Sequence, residues 1–287
     1  MNNKLILFIP LLILTFAGHA TSVWKVSKNS DSVYIGGTVH MLKQSDFSLP
    51  LGYEKAYQAS DALYFETDID AITSPAFAQK MMQKAMLTDG KTLKDILSKD
   101  TLTDLNAHLE SRGMPSQNFQ AFKPGFLSIT LTVLELNRLG FNAQGVDPFF
   151  AKKAQADGKT IAWFETPDEQ LEFINRLGHG IENNIVAHTL RDMNKFEDYI
   201  KQLMQAWRSG SREKLVSVGI EEMKNDYPSV YQDLLVKRNN NWMPKIKQLF
   251  DNDKTEFVLV GALHLVGDEG VLSQLENAGF TVEKLGK

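Results

Sequence analysis

The chain has 287 residues and a formal net charge of −4, with 43% hydrophobic and 23% charged residues. These values are typical of globular proteins and exclude the disordered, collagen-like and coiled-coil classes. The chain has no basic excess to neutralise phosphates, so nucleic acid is not a predicted partner. Cysteine is absent, which excludes disulfides, thiolate nucleophiles and iron–sulfur clusters. Any bound metal must therefore have nitrogen and oxygen ligands.

The first twenty residues have the pattern of a secretory leader. Lys4 precedes an apolar run from Leu5 to Phe16, which is too short for the roughly 20 residues of a membrane-spanning helix. Gly18 and Ala20 then provide the small residues that a signal peptidase recognises. We predict a signal peptide over 1–20, cleavage after Ala20, and a periplasmic or secreted protein of Gram-negative type with no stable membrane span. The alternative is an uncleaved anchor helix.

The remaining chain alternates between strand-like and helix-like segments. A hairpin, a short helix and a strand come first; a long helical region follows, and two strands flank the last helix. The predicted strands are 22–26, 33–35, 62–65, 160–164, 256–260 and 279–285. The predicted helices are 53–60, 75–87, 101–111, 123–139, 145–156, 168–177, most of 181–250, and 270–278. We predict one domain over 21–287, of mixed α/β class, with a central sheet flanked by helices. A helical insert occupies about 75–250 and is interrupted by the strand at 160–164.

One short motif occurs twice, each time directly after an apolar strand. Residues 33–40 end in Gly37-Thr38-Val39-His40, and residues 258–264 end in Gly261-Ala262-Leu263-His264. Ligands of α/β sheets bind at the carboxyl ends of strands. The two histidines are therefore predicted to meet at one site, although either could instead be a buried core or cap residue.

Two acidic residues occupy comparable positions. Glu66 follows the strand at 62–65, Glu165 follows the strand at 160–164, and threonine comes next in both cases. Carboxylates beside imidazoles form a mixed ligand set that suits a divalent metal, and a catalytic metal keeps one position open for water. The alternative is that these glutamates cap helices or pair with an arginine.

A third cluster lies in the helix that precedes the last strands. Arg238 and Trp242 are four residues apart and share a helix face, while residues 239–241 are three asparagines, which are weak helix formers. Arg238 is predicted to pair with Glu66 or Glu165, or to bind an oxyanion. An exposed helix with ordinary ion pairs is the alternative.

These motifs, in this order, resemble the TraB/GumN family, which includes the Tiki-type metalloproteases and is distantly related to erythromycin esterases and ChaN-like proteins. The resemblance covers nearly all of the chain after residue 20. It depends on residues 23–26, 36–40, 64–68, 145–147, 164–166, 206–210, 238–242 and 260–264.

The resemblance implies a central sheet built from two related halves, and a divalent-metal-dependent hydrolase, most simply a peptidase. His40, Glu66 and His264 match the metal-ligand positions, and Glu66, Glu165 and Arg238 are the predicted catalytic residues. Manganese or cobalt is the metal that the family implies, and zinc also suits these ligands. The implied partner is a peptide or another small substrate, while the oligomeric state is not predicted.

The same residues are also compatible with two other functions. The first is metal-free, esterase-like hydrolysis, in which a histidine is the general base and Glu and Arg assist it. The second is a non-catalytic exported binding protein for a metal, haem or an envelope polysaccharide.

Overall fold

The computed structural model describes residues 21–286, so the predicted signal peptide lies outside the described residues. The described residues form a six-stranded sheet and a separate two-stranded sheet. The strands are β1 Val23–Lys28, β2 Asp31–Thr38, β3 Met41–Leu42, β4 Ala62–Phe65, β5 Ala143–Gln144, β6 Thr160–Trp163, β7 Glu256–Gly261 and β8 Thr281–Lys284.

The α-helices lie mainly between β4 and β7. They are α1 Leu51–Gln58, α2 Ile69–Ile72, α3 Pro75–Ala85, α4 Lys99–Ser111, α5 Pro124–Arg138, α6 Val146–Ala156, α7 Pro167–Arg176, α8 Glu182–Asp192, α9 Phe196–Ser209, α10 Arg212–Leu215, α11 Glu221–Asp226, α12 Pro228–Tyr231, α13 Lys237–Gln248 and α14 Val271–Asn277. Two π-helical segments, Val216–Ile220 and Gln232–Val236, join α10 to α11 and α12 to α13.

The large sheet has the strand order β6-β4-β7-β2-β1-β8. The first four strands are parallel, whereas β1 pairs antiparallel with both β2 and β8. The two strands that carry the repeated motif, β2 and β7, are direct neighbours, with Thr38 opposite Gly261. The parallel order therefore places the carboxyl ends of β2, β4, β6 and β7 along one edge of the sheet.

The mixed α/β class and the sheet flanked by helices are confirmed. Most predicted elements are present, with ends that differ by at most three residues; the largest difference is in β2, which extends to Thr38. The pattern did not show β3 and β5, because two-residue strands are too short for any periodicity. It also predicted ordinary helix over most of 181–250 and did not show the two π-helical segments of that region.

Two hydrophobic cores support the fold. One packs helices against the large sheet and includes Trp207, whose indole N–H donates to the Gly37 carbonyl over 2.7 Å. The other lies among the helices of the insert and is centred on residues such as Leu105, Leu127 and Val186. Within residues 21–286, no helix is long and apolar enough to cross a membrane.

Gly145 allows two distant segments to run side by side. A Cβ at this position would lie only 2.4 Å from the carbonyl oxygens of Val39 and His40. Next to it, the Val146 N–H donates to the Val39 carbonyl over 3.1 Å, and β3 pairs with β5. The start of α6 is therefore held against the loop that carries His40.

Replacement of Gly145 by alanine tests this close approach. We expect Gly145→Ala to lower the free energy of unfolding by about 1–3 kcal/mol, because the methyl group forces the two backbones apart. Urea denaturation followed by circular dichroism measures the change. Unchanged stability would show that the two segments need not be so close.

Candidate active site at the carboxyl edge of the sheet

Four of the five predicted site residues come from the carboxyl ends of the parallel strands. His40 follows β2, Glu66 follows β4, Glu165 follows β6, and His264 lies in the 3-10 turn Ala262–Leu265 after β7. The pairing of β4 with β6 continues past both strands, since the Glu165 N–H donates to the Glu66 carbonyl over 2.9 Å. The two glutamates are therefore neighbours in space although about a hundred residues separate them in sequence.

Arg238, the fifth residue, connects three of these side chains. Its Nη2 lies 2.5 Å from Oε2 of Glu66 and 2.5 Å from Oε1 of Glu165, and its Nε donates to Oε2 of Glu165 over 3.1 Å. Its Nη1 lies 3.2 Å from Nε2 of His264. The guanidinium also stacks on Trp242, with its centre 4.8 Å from the ring centroid. Both predicted pairings of Arg238 with a glutamate are thus present.

The two glutamates have different electrostatic environments. Burial opposes ionisation of Glu66, but the charges of Arg238 and His40 and the Gly261 N–H outweigh it and hold the pKa of Glu66 well below its usual range. At Glu165, burial has the larger effect and raises the pKa, although Arg238 and the Trp242 indole N–H act in the opposite direction. Glu66 is therefore the more firmly anionic of the two.

Asn239 determines which nitrogen of His264 carries the proton. The Asn239 amide nitrogen donates to the carbonyls of His264 and Glu269 over 3.0 and 2.9 Å, so its Oδ1 must be the acceptor. Nδ1 of His264, 2.7 Å from that oxygen, is therefore protonated, and Nε2 carries the lone pair. Burial lowers the pKa of His264 to about 3, which keeps the ring neutral.

His40 is held in a comparable way at the more open side of the site. Its Nδ1 lies 3.3 Å from Oδ2 of the buried Asp147, and its side chain is 69% exposed. Desolvation by the surrounding protein lowers the pKa of His40, but the hydrogen bond and charge of Asp147 and the charge of Glu66 outweigh it and raise the pKa to about 9. His40 is therefore protonated at neutral pH in this arrangement.

The absence of a side chain at Gly261 leaves space between three of the predicted site residues. A Cβ built there would lie 3.2 Å from Oε1 of Glu66, 3.4 Å from Cδ2 of His264 and 3.8 Å from Nε2 of His40. The Gly261 N–H itself donates to Oε1 of Glu66 over 2.7 Å. The three predicted metal ligands thus border one small space, with Gly261 at its base.

The chemistry of these donors fits a divalent cation. A carboxylate and two imidazoles form the set, and each imidazole has its Nδ1 held by a side-chain oxygen, as is usual for histidines that bind metals through Nε2. Oε1 of Glu66 and Nε2 of His264 are 3.9 Å apart, a separation that two ligands of one ion at about 2.0–2.2 Å can have. No group of three such side chains within residues 21–286 is arranged to hold an ion as it stands. Ion binding would therefore require these side chains to move.

Sequence reasoning did not assign a site role to Asp147 or Asn239. Both lie in segments on which the resemblance depends, at 145–147 and 238–242, but neither follows a strand of the large sheet. Asp147 is in the first turn of α6, and the contacts of Gly145, Val146 and β5 with the His40 loop bring it to His40. Asn239 is a weak helix former. Its presence in α13 is explained by the two hydrogen bonds that its buried side-chain amide makes with His264.

The contributions of the two histidines to the stability of the fold should change with pH in opposite directions. The folded-state pKa of His264 lies below the usual 6.5, so its contribution to stability is complete above pH 6.5 and is lost as the pH falls toward 3. The pKa of His40 is raised, so its contribution is complete below pH 6.5 and is lost as the pH rises toward 9. Histidine NMR signals of EDTA-treated protein measure both titrations.

We expect the His264 signal to stay constant between pH 5 and 8, and the His40 signal to titrate above pH 7. Asp147→Asn should move the His40 transition toward lower pH and leave His264 unchanged, while His264→Gln should identify the His264 signal. A His264 midpoint near 6.5 would contradict the buried, neutral tautomer.

Comparisons with known proteins identify the family of the chain. The family model described as TraB/PrgY/gumN matches residues 22–284. "Metalloprotease TIKI2" of Xenopus tropicalis is 24% identical over 315 residues, which cover 91% of this chain and 59% of that protein. "Metalloprotease TIKI1" of Homo sapiens is 24% identical over 320 residues, covering 91% and 61%. "Metalloprotease TIKI1" of Danio rerio is 22% identical over 314 residues, covering 91% and 62%.

The chain spans about three fifths of the length of these relatives. No solved structure matches it significantly. Because the family model covers the sheet, the insert and all five predicted site residues, the chain belongs to the TraB/PrgY/gumN family.

Proposed function

We propose that this protein is an exported, divalent-metal-dependent hydrolase that acts on peptide bonds. The observation that carries the proposal is the pair of imidazoles whose Nδ1 atoms are held by Asp147 and Asn239, and which border the same space as Glu66. The relatives named metalloproteases support peptide as the substrate class.

Glu66, His264 and His40 are the proposed ligands. A divalent cation, manganese or cobalt by family resemblance, would supply a Lewis acid and a water of lowered pKa. Glu66 is already anionic and His264 already presents the lone pair of Nε2, so both are prepared for this role. His40 must release a proton before its Nε2 can bind, and ion affinity should therefore weaken on acidification.

Arg238 is the proposed stabiliser of the negative charge that develops on the substrate oxygen. Its Nη1 faces Nε2 of His264 over 3.2 Å. A cation on that nitrogen would take the place of Nη1, so the guanidinium would have to shift, and its Nη1 N–H would then be free to donate to an oxyanion. Glu165 engages the opposite side of the guanidinium through two hydrogen bonds. Its proposed role is to keep Arg238 beside the site.

Removal and replacement of the metal tests the proposal. EDTA treatment of the purified protein should abolish cleavage of unstructured peptides, and Mn²⁺ or Co²⁺ should restore it. Glu66→Gln should prevent metal binding in calorimetry, because it removes the anionic ligand. Arg238→Lys should retain metal binding and lower kcat by at least about a hundredfold, as the loss of an oxyanion donor does.

Two matched controls are available in the chain. Glu256 is also a buried glutamate, 2% exposed, but it lies at the opposite end of β7. Arg212 pairs with Glu276 on the surface. Glu256→Gln and Arg212→Lys should leave both metal binding and kcat unchanged. A protein that binds no metal and cleaves no peptide would contradict the proposal.

A metal-free hydrolase is the second candidate, because the guanidinium of Arg238 already contacts Glu66 where a cation would compete with it. In that case the same assay would show hydrolysis, most simply of an ester, that EDTA does not inhibit. Arg238→Lys would still lower the rate, since the oxyanion donor is common to both schemes.

The exported location is a proposal based on the leader sequence of residues 1–20. Expression of the full chain in a Gram-negative host should yield periplasmic protein that begins at Thr21, since signal peptidase cleaves after Ala20. Intact mass spectrometry of the periplasmic fraction measures this. A mass that retains residues 1–20 would favour the uncleaved anchor.

A further inference from the structure

A second cavity lies among the helices of the insert, separate from the edge of the sheet. It has a volume of about 700 Å³, within the range of small-molecule sites. None of the five predicted site residues lines it. We call it the helical cavity and define it by its apolar wall: Ile129, Val133, Ile185, Val218, Val230 and Leu234.

Charged side chains surround one part of the helical cavity. Asp192, Glu222 and Asp226 supply three carboxylates, whereas Arg191 and Lys195 supply two cations, so the lining carries an excess of one negative charge. Arg191 lies within 3.5 Å of all three carboxylates.

Two tyrosines lie beside these charges. Tyr199 and Tyr227 line the same cavity, and the Tyr227 hydroxyl donates to Asp192 over 2.8 Å. Carboxylates and aromatic faces are the groups that favour cations, so the polar part of the helical cavity suits a positively charged or uncharged group.

Both π-helical segments contribute to the wall of this cavity. Val218 and Gly219 belong to Val216–Ile220, and Leu234 belongs to Gln232–Val236. π-turns are rare and occur frequently at functional sites. Val133 is 37% exposed although it is apolar. Apolar surface and irregular helix thus coincide at the helical cavity.

We propose that the helical cavity is a second binding site, for an apolar chain that carries a cationic head group. The apolar wall would bind the chain, and the three carboxylates with Tyr199 and Tyr227 would bind the head group. This site does not depend on the proposed hydrolase function, because it shares no residue with the edge of the sheet.

The helical cavity nevertheless lies next to elements that support the candidate active site. The Leu234 carbonyl accepts a hydrogen bond from Nη1 of Arg238 over 3.5 Å. Gly219 packs against Leu263, the residue before His264. A ligand in the helical cavity would therefore contact the segments that position Arg238 and His264.

Binding can be measured with N-phenyl-1-naphthylamine, a neutral apolar dye whose fluorescence rises in apolar sites. We expect saturable binding to one site on the full protein. Decyltrimethylammonium, below its micellar concentration, should displace the dye at a concentration at least about tenfold lower than decyl sulfate, which has the same chain and the opposite charge. In the double variant Glu222→Gln/Asp226→Asn, decyltrimethylammonium and decyl sulfate should displace the dye at similar concentrations.

The location of the dye-binding site is tested by tryptophan substitutions that fill the helical cavity from two of its walls. Val230→Trp and Ile129→Trp should each weaken dye binding by at least about tenfold, while Leu51→Trp, at a residue 53% exposed on α1, should leave it unchanged. Circular dichroism confirms that each variant is folded. Unchanged dye affinity in a folded filling variant would overturn the proposal, as would a preference for decyl sulfate.

A third measurement does not depend on bulky variants. Since the chain has no cysteine, Thr132→Cys introduces a single thiol into the lining of the helical cavity. Decyltrimethylammonium should slow its reaction with a thiol reagent at least about fivefold, and should not slow that of Ser111→Cys at the end of α4. Equal reaction rates with and without the amphiphile would also overturn the proposal.

Discussion

The candidate site depends on one buried guanidinium shared by two carboxylates. Arg238, Glu66 and Glu165 are each less than a tenth exposed, and burial of such charges is unfavourable unless each is paired and hydrogen-bonded. Arg238 meets that requirement only when α13 packs against the carboxyl edge of the sheet. Loss of either the arginine or a glutamate would leave an uncompensated buried charge. Assembly of the site and packing of this helix on the sheet are therefore the same event.

The parallel order of the strands explains why side chains so distant in sequence meet. Parallel neighbours must be joined by long crossover connections, and here the helical insert supplies them between β4, β6 and β7. All four strands then end at one edge, where residues just past each strand face a common space. Strand β1 runs in the opposite direction, and β8, although it runs in the same direction as the four, lies beyond β1 at the far end of the sheet. None of the five site residues follows either strand directly. The direction of a strand and its position in the sheet together decide whether it can contribute to the site.

The position of the site could be predicted from the sequence, because it depends on local patterns. Apolar runs indicated where strands end, and His40, Glu66, Glu165 and His264 follow those ends directly. The pairing of Arg238 with Glu66 or Glu165 was one of the interpretations that its charge allowed, beside an oxyanion contact and an exposed helix. Asp147 and Asn239 could not be placed in this way, because their roles depend on contacts between segments: Gly145 against the His40 loop, and the Asn239 amide against two backbone carbonyls. These contacts decide the protonation of both imidazoles, which strand patterns do not contain.

The π-helical segment before α13 has a consequence for the orientation of Arg238. Each residue of an α-helix turns the chain by about 100°, and a π-turn holds roughly one residue more than an α-turn. Had Gln232–Val236 been α-helical, the residues after it would be rotated about the helix axis by about 100° from the orientation that they now have relative to α12. Because α12 contacts the insert core through Val230, and α13 packs on the sheet edge through Arg238 and Trp242, the two helices must present different faces. The π-turn reconciles these two requirements within one continuous helical segment. The same irregularity lines the helical cavity, so the feature that aims Arg238 at the glutamates also shapes the proposed second site.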